Sequence, residues 1–138
     1  MTELPPIMPF LLVVDAANVV GSVPDGWWRD RAGAAARLRD ALTPLAADGL
    51  PGIDAPGPID LVLVVEGQAR DVPGNPTVPV IPAERNGDDT IVELVSAEAP
   101  ERDRIVVVTA DRELRRRVEA AGAETLGPRT LLDALDRK

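Results

Sequence analysis

The chain contains no cysteine and no histidine, and Lys138 is the single lysine among its fifteen basic residues. Without cysteine there is no disulfide, no thiolate zinc site and no thiol nucleophile. Without histidine there is no imidazole to serve as base or ligand. Acid–base or metal chemistry must therefore come from carboxylates. The missing lysine also argues against a phosphorelay receiver, which needs one after its fifth strand. Long apolar runs are lacking too: "PFLLVV" falls far short of the roughly 20 residues that span a bilayer. The start, "MTELPPIMPF", holds an acid, three prolines and no basic residue, unlike a secretory signal. A cytoplasmic protein with no membrane partner is expected.

What is present describes an ordinary globular chain. Its 138 residues, 45% of them hydrophobic, predict a single domain over 1–138. At that length roughly two thirds of the unfolded surface can be buried. The 23 acids outnumber the bases and set the net charge at −8, which argues against a generally basic nucleic-acid coat. Nucleic acid stays open as a substrate, because a bound divalent cation offsets a local negative site.

The continuous apolar runs "FLLVV", "LVLVV" and "RIVVV" predict strands covered on both faces, as in a parallel sheet. A short strand in "VPVIP" is expected near an edge because of its prolines, and another in "AETLGP". Helices are predicted over "DGWWRDRAGAAARLRDALTPLAADG", "DDTIVELVSAEA", "RELRRRVEAAG" and "RTLLDALDRK", with Pro44 kinking or stopping the first. The Gly/Pro-rich connection from Asp48 to Pro58 is expected to be flexible. Strands alternating with helices give an α/β fold, a Rossmann-like open and mostly parallel sheet of about five strands with helices on both faces.

The acids follow a pattern. Asp15 ends the first strand, Glu66 the second and Asp111 the fourth, while Asp88 and Asp89 open the helix after the third. In an open parallel sheet all five fall on the carboxyl rim, where ligands bind. Crowded carboxylates repel and take up protons unless a cation sits between them. Oxygen ligands alone select a hard cation, Mg²⁺ or Mn²⁺, which orients water and stabilises charge on a phosphodiester. Asp88 is read as the helix cap and Asp89 as the group aimed at the metal, with Glu93 one turn later on the same face. Trp27 and Trp28 are read first as core packing and second as base-stacking platforms. Arg112, Arg115, Arg116 and Arg117 are read as a solvated helix face.

The stretches "VVDAANVVG", "NGDDTIVEL" and "VVTADREL" resemble the PIN-like nucleases, specifically the NYN-type branch with its bacterial ribosome-associated RNA nucleases. The similarity runs over about residues 10 to 132. It implies a Rossmann-like fold and Mg²⁺- or Mn²⁺-dependent cleavage of RNA. By position it implies Asp15, Asp88 or Asp89, and Asp111 as metal-binding acids, Asn18 as the residue steadying the first aspartate or a water, and Thr109 as a supporting hydroxyl. The second strand ends in Glu66 where the resemblance leads one to expect aspartate, so Glu66 and Glu93 stand as supporting acids. RNA is the expected partner, and a homodimer is compatible with the chain. The alternatives are a nucleotide phosphohydrolase on the same fold and a non-catalytic RNA- or protein-binding module.

Overall fold

The computed structural model describes residues 7–51 and 53–136. The segment before Ile7 and Lys138 lie outside the described residues. The elements run β1 (Phe10–Asp15), α1 (Ala16–Gly21), α2 (Arg31–Leu42), α3 (Leu45–Asp48), β2 (Gly49–Leu50), β3 (Ala55–Pro56), β4 (Asp60–Val65), β5 (Val80–Pro82), α4 (Gly87–Glu98), β6 (Arg104–Val108), α5 (Arg112–Ala120), β7 (Glu124–Leu126) and α6 (Pro128–Asp136). No helix among the described residues is long and apolar enough to cross a membrane.

Five strands form one sheet in the order β5-β4-β1-β6-β7, and every neighbouring pair is parallel. Alternation along the strands feeds two cores. Leu12, Val14, Leu63 and Val108 face α1, α2 and α6, whereas Leu11, Val13, Val64 and Val107 face Ile91 and Val95 of α4 and Leu114 and Val118 of α5. Both faces are therefore apolar, which is why the strands read as unbroken hydrophobic runs. The chain builds outward from β1 through β4 to β5, then crosses back to lay β6 on the other side of β1. The reversal point is thus the crevice at the carboxyl ends of β1 and β6, where doubly wound sheets bind ligands.

The sheet has blunt edges. On one side β5 is three residues long, ends in Pro82 and follows Pro79; on the other β7 is three residues long and Glu124 pairs with Arg104 at 2.6 Å. The edge position expected for "VPVIP" is the observed one.

Three expectations are corrected. The long helix predicted over residues 25–49 begins late: Trp27–Arg29 is a short 3-10 turn and Asp30 caps α2 by accepting from the Gly33 N–H at 2.9 Å, while Pro44 separates α2 from α3 as expected. Asp15 ends β1 as expected, but the stretch after it, where no helix is predicted, winds into α1 with Asp15 as its cap. The connection from Asp48 to Pro58, expected to be flexible, contains the antiparallel β2–β3 pair and buries Leu50 and Ala55.

Candidate active site

The rim is assembled from four chain segments. Asp15 sits where β1 passes into α1 and is only 6% exposed. Its Oδ2 accepts from the Thr109 hydroxyl at 3.0 Å, and its Oδ1 accepts from the Asn18 N–H at 3.4 Å. Burial pushes its pKa up to about 6; the two hydrogen bonds oppose that rise, and the charges of Asp88 and Glu66 add to it. A carboxyl held between proton and charge near neutrality, at a topological switch point, is the central feature of the site.

The segment after β6 is stitched across to it. Thr109 is fully buried, and its hydroxyl both donates to Asp15 and accepts from the Asp111 N–H at 3.2 Å. The Asn18 Oδ1 accepts from the Ala110 N–H at 2.8 Å, so α1 and the β6–α5 turn are clamped together. Asp111 caps α5, its Oδ1 accepting from the Leu114 N–H at 2.9 Å. Arg115 donates to the Thr109 carbonyl at 2.9 Å and fixes the same turn from beneath.

The third wall is the start of α4. Glu66, just beyond β4, accepts from the Gly87 N–H at 2.8 Å and so anchors that helix to the rim. Asp88 is half-buried, and its pKa is raised by burial first and then by Asp111 and Glu66, with Arg117 opposing. Asp15, Glu66, Asp88 and Asp111 therefore share one electrostatic environment.

The helix start differs from the predicted division of roles. The cap is Asn86, whose Oδ1 accepts from the Asp89 N–H at 3.1 Å; Asp88 and Asp89 lie inside the first turn. Asp88 is the residue among the rim acids, while exposed Asp89 pairs with Arg117 of α5 at 2.9 Å. Both aspartates still suit a helix N-terminus, whose unpaired N–H groups favour negative charge. The signal for the true cap was present: Asn86 is followed three residues later by an acid. Glu93 is exposed and, with Asp89 and Arg85, lines a separate surface hollow of about 430 Å³.

Two further readings change. Neither tryptophan joins the core: Trp28 is 54% exposed and Trp27 is half-buried beside it, edge to face. Of the four arginines read as a solvated face, Arg115 and Arg117 instead hold the site's second and third walls. Among the described residues no three acids converge tightly enough to enclose a metal ion by themselves.

No protein-family model matches the chain, and no curated protein matches it in sequence. Among solved structures it is similar to Rae1 (YacP) from Bacillus subtilis. The identity is 20% and the TM-score 0.74, over 92% of this chain and 74% of that one. A tryptophan-to-leucine variant of the same protein superimposes at a TM-score of 0.75, again at 20% identity, over 92% of this chain and 75% of the other. At that identity the likeness shows the fold: a Rossmann-like α/β sheet shared over nearly the whole chain.

Proposed function

We propose that the chain is a Mg²⁺- or Mn²⁺-dependent ribonuclease that hydrolyses RNA phosphodiesters at the carboxyl rim of its sheet. The observation that carries this reading is Asp15, a buried carboxyl at the switch point whose pKa of about 6 reflects burial among like charges. The shared fold with Rae1 and the resemblance of "VVDAANVVG", "NGDDTIVEL" and "VVTADREL" to PIN-like nucleases support the same assignment.

The donor set fits a hard cation. It is all oxygen, and burial, with the charges of Asp88 and Glu66 adding to it, raises the pKa of Asp15, so a cation there would compete with a proton. Mg²⁺ usually keeps several waters and takes one or two protein carboxylates. Asp15 and Asp88 would hold the ion, with Asp111 and Glu66 around it. Held there, such an ion would supply a water-orienting, charge-stabilising centre for the phosphate. The protein's own part is positioning. Thr109 and the Asn18 N–H fix the Asp15 carboxylate. Asp111 and Glu66 each keep one oxygen beyond the one that anchors a helix. The Asn18 amide, its oxygen engaged by Ala110, leaves its NH₂ for a phosphate oxygen. Asp89, held by Arg117, braces α4 against α5.

The test offers single-stranded RNA and nucleoside triphosphates side by side with Mn²⁺ to wild type and to Asp15→Asn. RNA should be cut by wild type, and the variant should lose at least about 100-fold, as when one preorganised transition-state group is removed. Nucleotide turnover with RNA intact would instead make the protein a phosphohydrolase. RNA bound and never cut would make it a binding module.

A further inference from the structure

A cavity of about 300 Å³ opens beside the acids, between α1, the tryptophan turn and the end of β4. Its floor is small and apolar, formed by Ala16, Ala17, Val20 and Ala35. One wall is Trp27, with the Arg31 guanidinium over its ring at 5.2 Å. The wall toward the carboxylates is Glu66, and Arg85 stands at the mouth. The left-handed backbone at Gly26, φ 80°, turns the chain into the 3-10 segment that presents Trp27 here.

In a chain of net charge −8, exposed Arg31 and Arg85 carry no ion pair and no hydrogen bond among the described residues. Exposed arginines elsewhere, such as Arg37, Arg70, Arg112 and Arg129, are also without ion pairs among the described residues; Arg31 and Arg85 differ in lining one cavity with Trp27. Two unneutralised guanidinium groups beside a rim of acids call for an anionic ligand. An apolar floor with an indole–guanidinium wall calls for a planar, polarisable one. Both features together describe a nucleotide with its base splayed out, since unstacked bases lie on aromatic rings and arginine planes. Single-stranded RNA offers such bases and duplex RNA does not.

We infer that this cavity is a nucleobase subsite for single-stranded RNA, seating one base against Trp27 and Arg31 while Arg85 holds a flanking phosphate. The inference rests on the ribonuclease reading and adds what the acids alone lack, a means of selecting an unpaired strand. Because Glu66 belongs to both the cavity and the acid rim, a base seated there places its own backbone at the carboxylates.

The experiment uses the Trp28→Phe protein, which leaves Trp27 as the only tryptophan, in EDTA so that nothing is cleaved. Trp27 emission should be quenched by a short single-stranded RNA and, at higher concentration, by AMP. Ribose 5-phosphate should leave it unchanged. In the otherwise wild-type chain, Trp27→Ala should weaken binding of labelled single-stranded RNA roughly 5- to 100-fold, the worth of about one stacked base. Arg31→Gln, an exposed change that spares folding, should weaken it in the same direction. Duplex RNA should bind less well than single strands. With Mn²⁺, both variants should raise KM more than they lower kcat. Quenching in EDTA without cleavage in Mn²⁺ would keep the subsite and remove the nuclease. Cleavage with an unaltered KM in both variants would keep the nuclease and remove the subsite. Quenching by AMP but not by RNA, or by ribose 5-phosphate as strongly as by AMP, would also overturn it.

Discussion

At the scale of single residues, Asp15 decides most. Its carboxyl is ionised near pH 4 in the unfolded chain but only around pH 6 in the folded one. Below pH 4 it is protonated in both states and costs nothing. Stability is lost as pH rises from about 4 through about 6, and above that the buried charge costs on the order of 3 kcal/mol without metal. Asp15→Asn keeps an acceptor for Thr109 and removes the charge. In chelated buffer the variant and wild type should melt together near pH 4, and at pH 7 the variant should melt about 10 °C higher. A variant that melts lower at pH 7 would mean that Asp15 serves the fold. Such a cost, carried by one residue at a ligand-binding crevice, is what selection for function over stability produces. The importance of Asp15 was legible because an acid at the end of an all-apolar strand stands out. The roles of Asp88 and Asp89 were not, because adjacent positions on a helix point about 100° apart and the cap lies two residues earlier than the first acid.

At the scale of elements, the start of α4 separates three jobs among four residues. Asn86 caps, Asp88 joins the rim acids and Asp89 links to α5. Asn86→Ala should cost on the order of 1 kcal/mol in urea unfolding. Asp88→Asn should abolish cleavage while holding or raising stability, because it relieves like-charge repulsion. Asp89→Asn should retain most activity and lose at most about 1 kcal/mol, the scale of an exposed ion pair. Loss of activity in Asp89→Asn alone would reverse the assignment of the two aspartates. The strands were readable because burial on both faces leaves long apolar runs. The first helical region was less so. Its alanines and leucines carry one helical rhythm through Pro44, while the break at Trp27–Arg29 depends on Gly26 and the Asp30 cap. Helix α1, at six residues, is too short to show a periodicity of its own.

At the scale of the whole molecule, the order of the strands was beyond local pattern. It is the return from β5 to β6 that brings Asp15 and Thr109 together across 94 residues of sequence. The net charge of −8 makes the fold self-repelling, so any salt should help it modestly. An ion bound at the proposed site would do more: Mg²⁺ or Mn²⁺ at 100 times its Kd should stabilise wild type by about 2.7 kcal/mol. Scanning calorimetry at matched ionic strength should show that gain in wild type and not in Asp15→Asn or Asp88→Asn. An equal rise in all three proteins would reduce the effect to general screening.

The blunt edges of the sheet carry a consequence for how copies of the chain meet. Pro79 and Pro82 remove backbone donors from the β5 side, and β7 offers three residues beside an arginine–glutamate pair. Both borders are therefore poor templates for a further strand, which blunts sheet-extending aggregation of the folded chain. A pairing of two copies would then have to use side chains rather than an extended sheet.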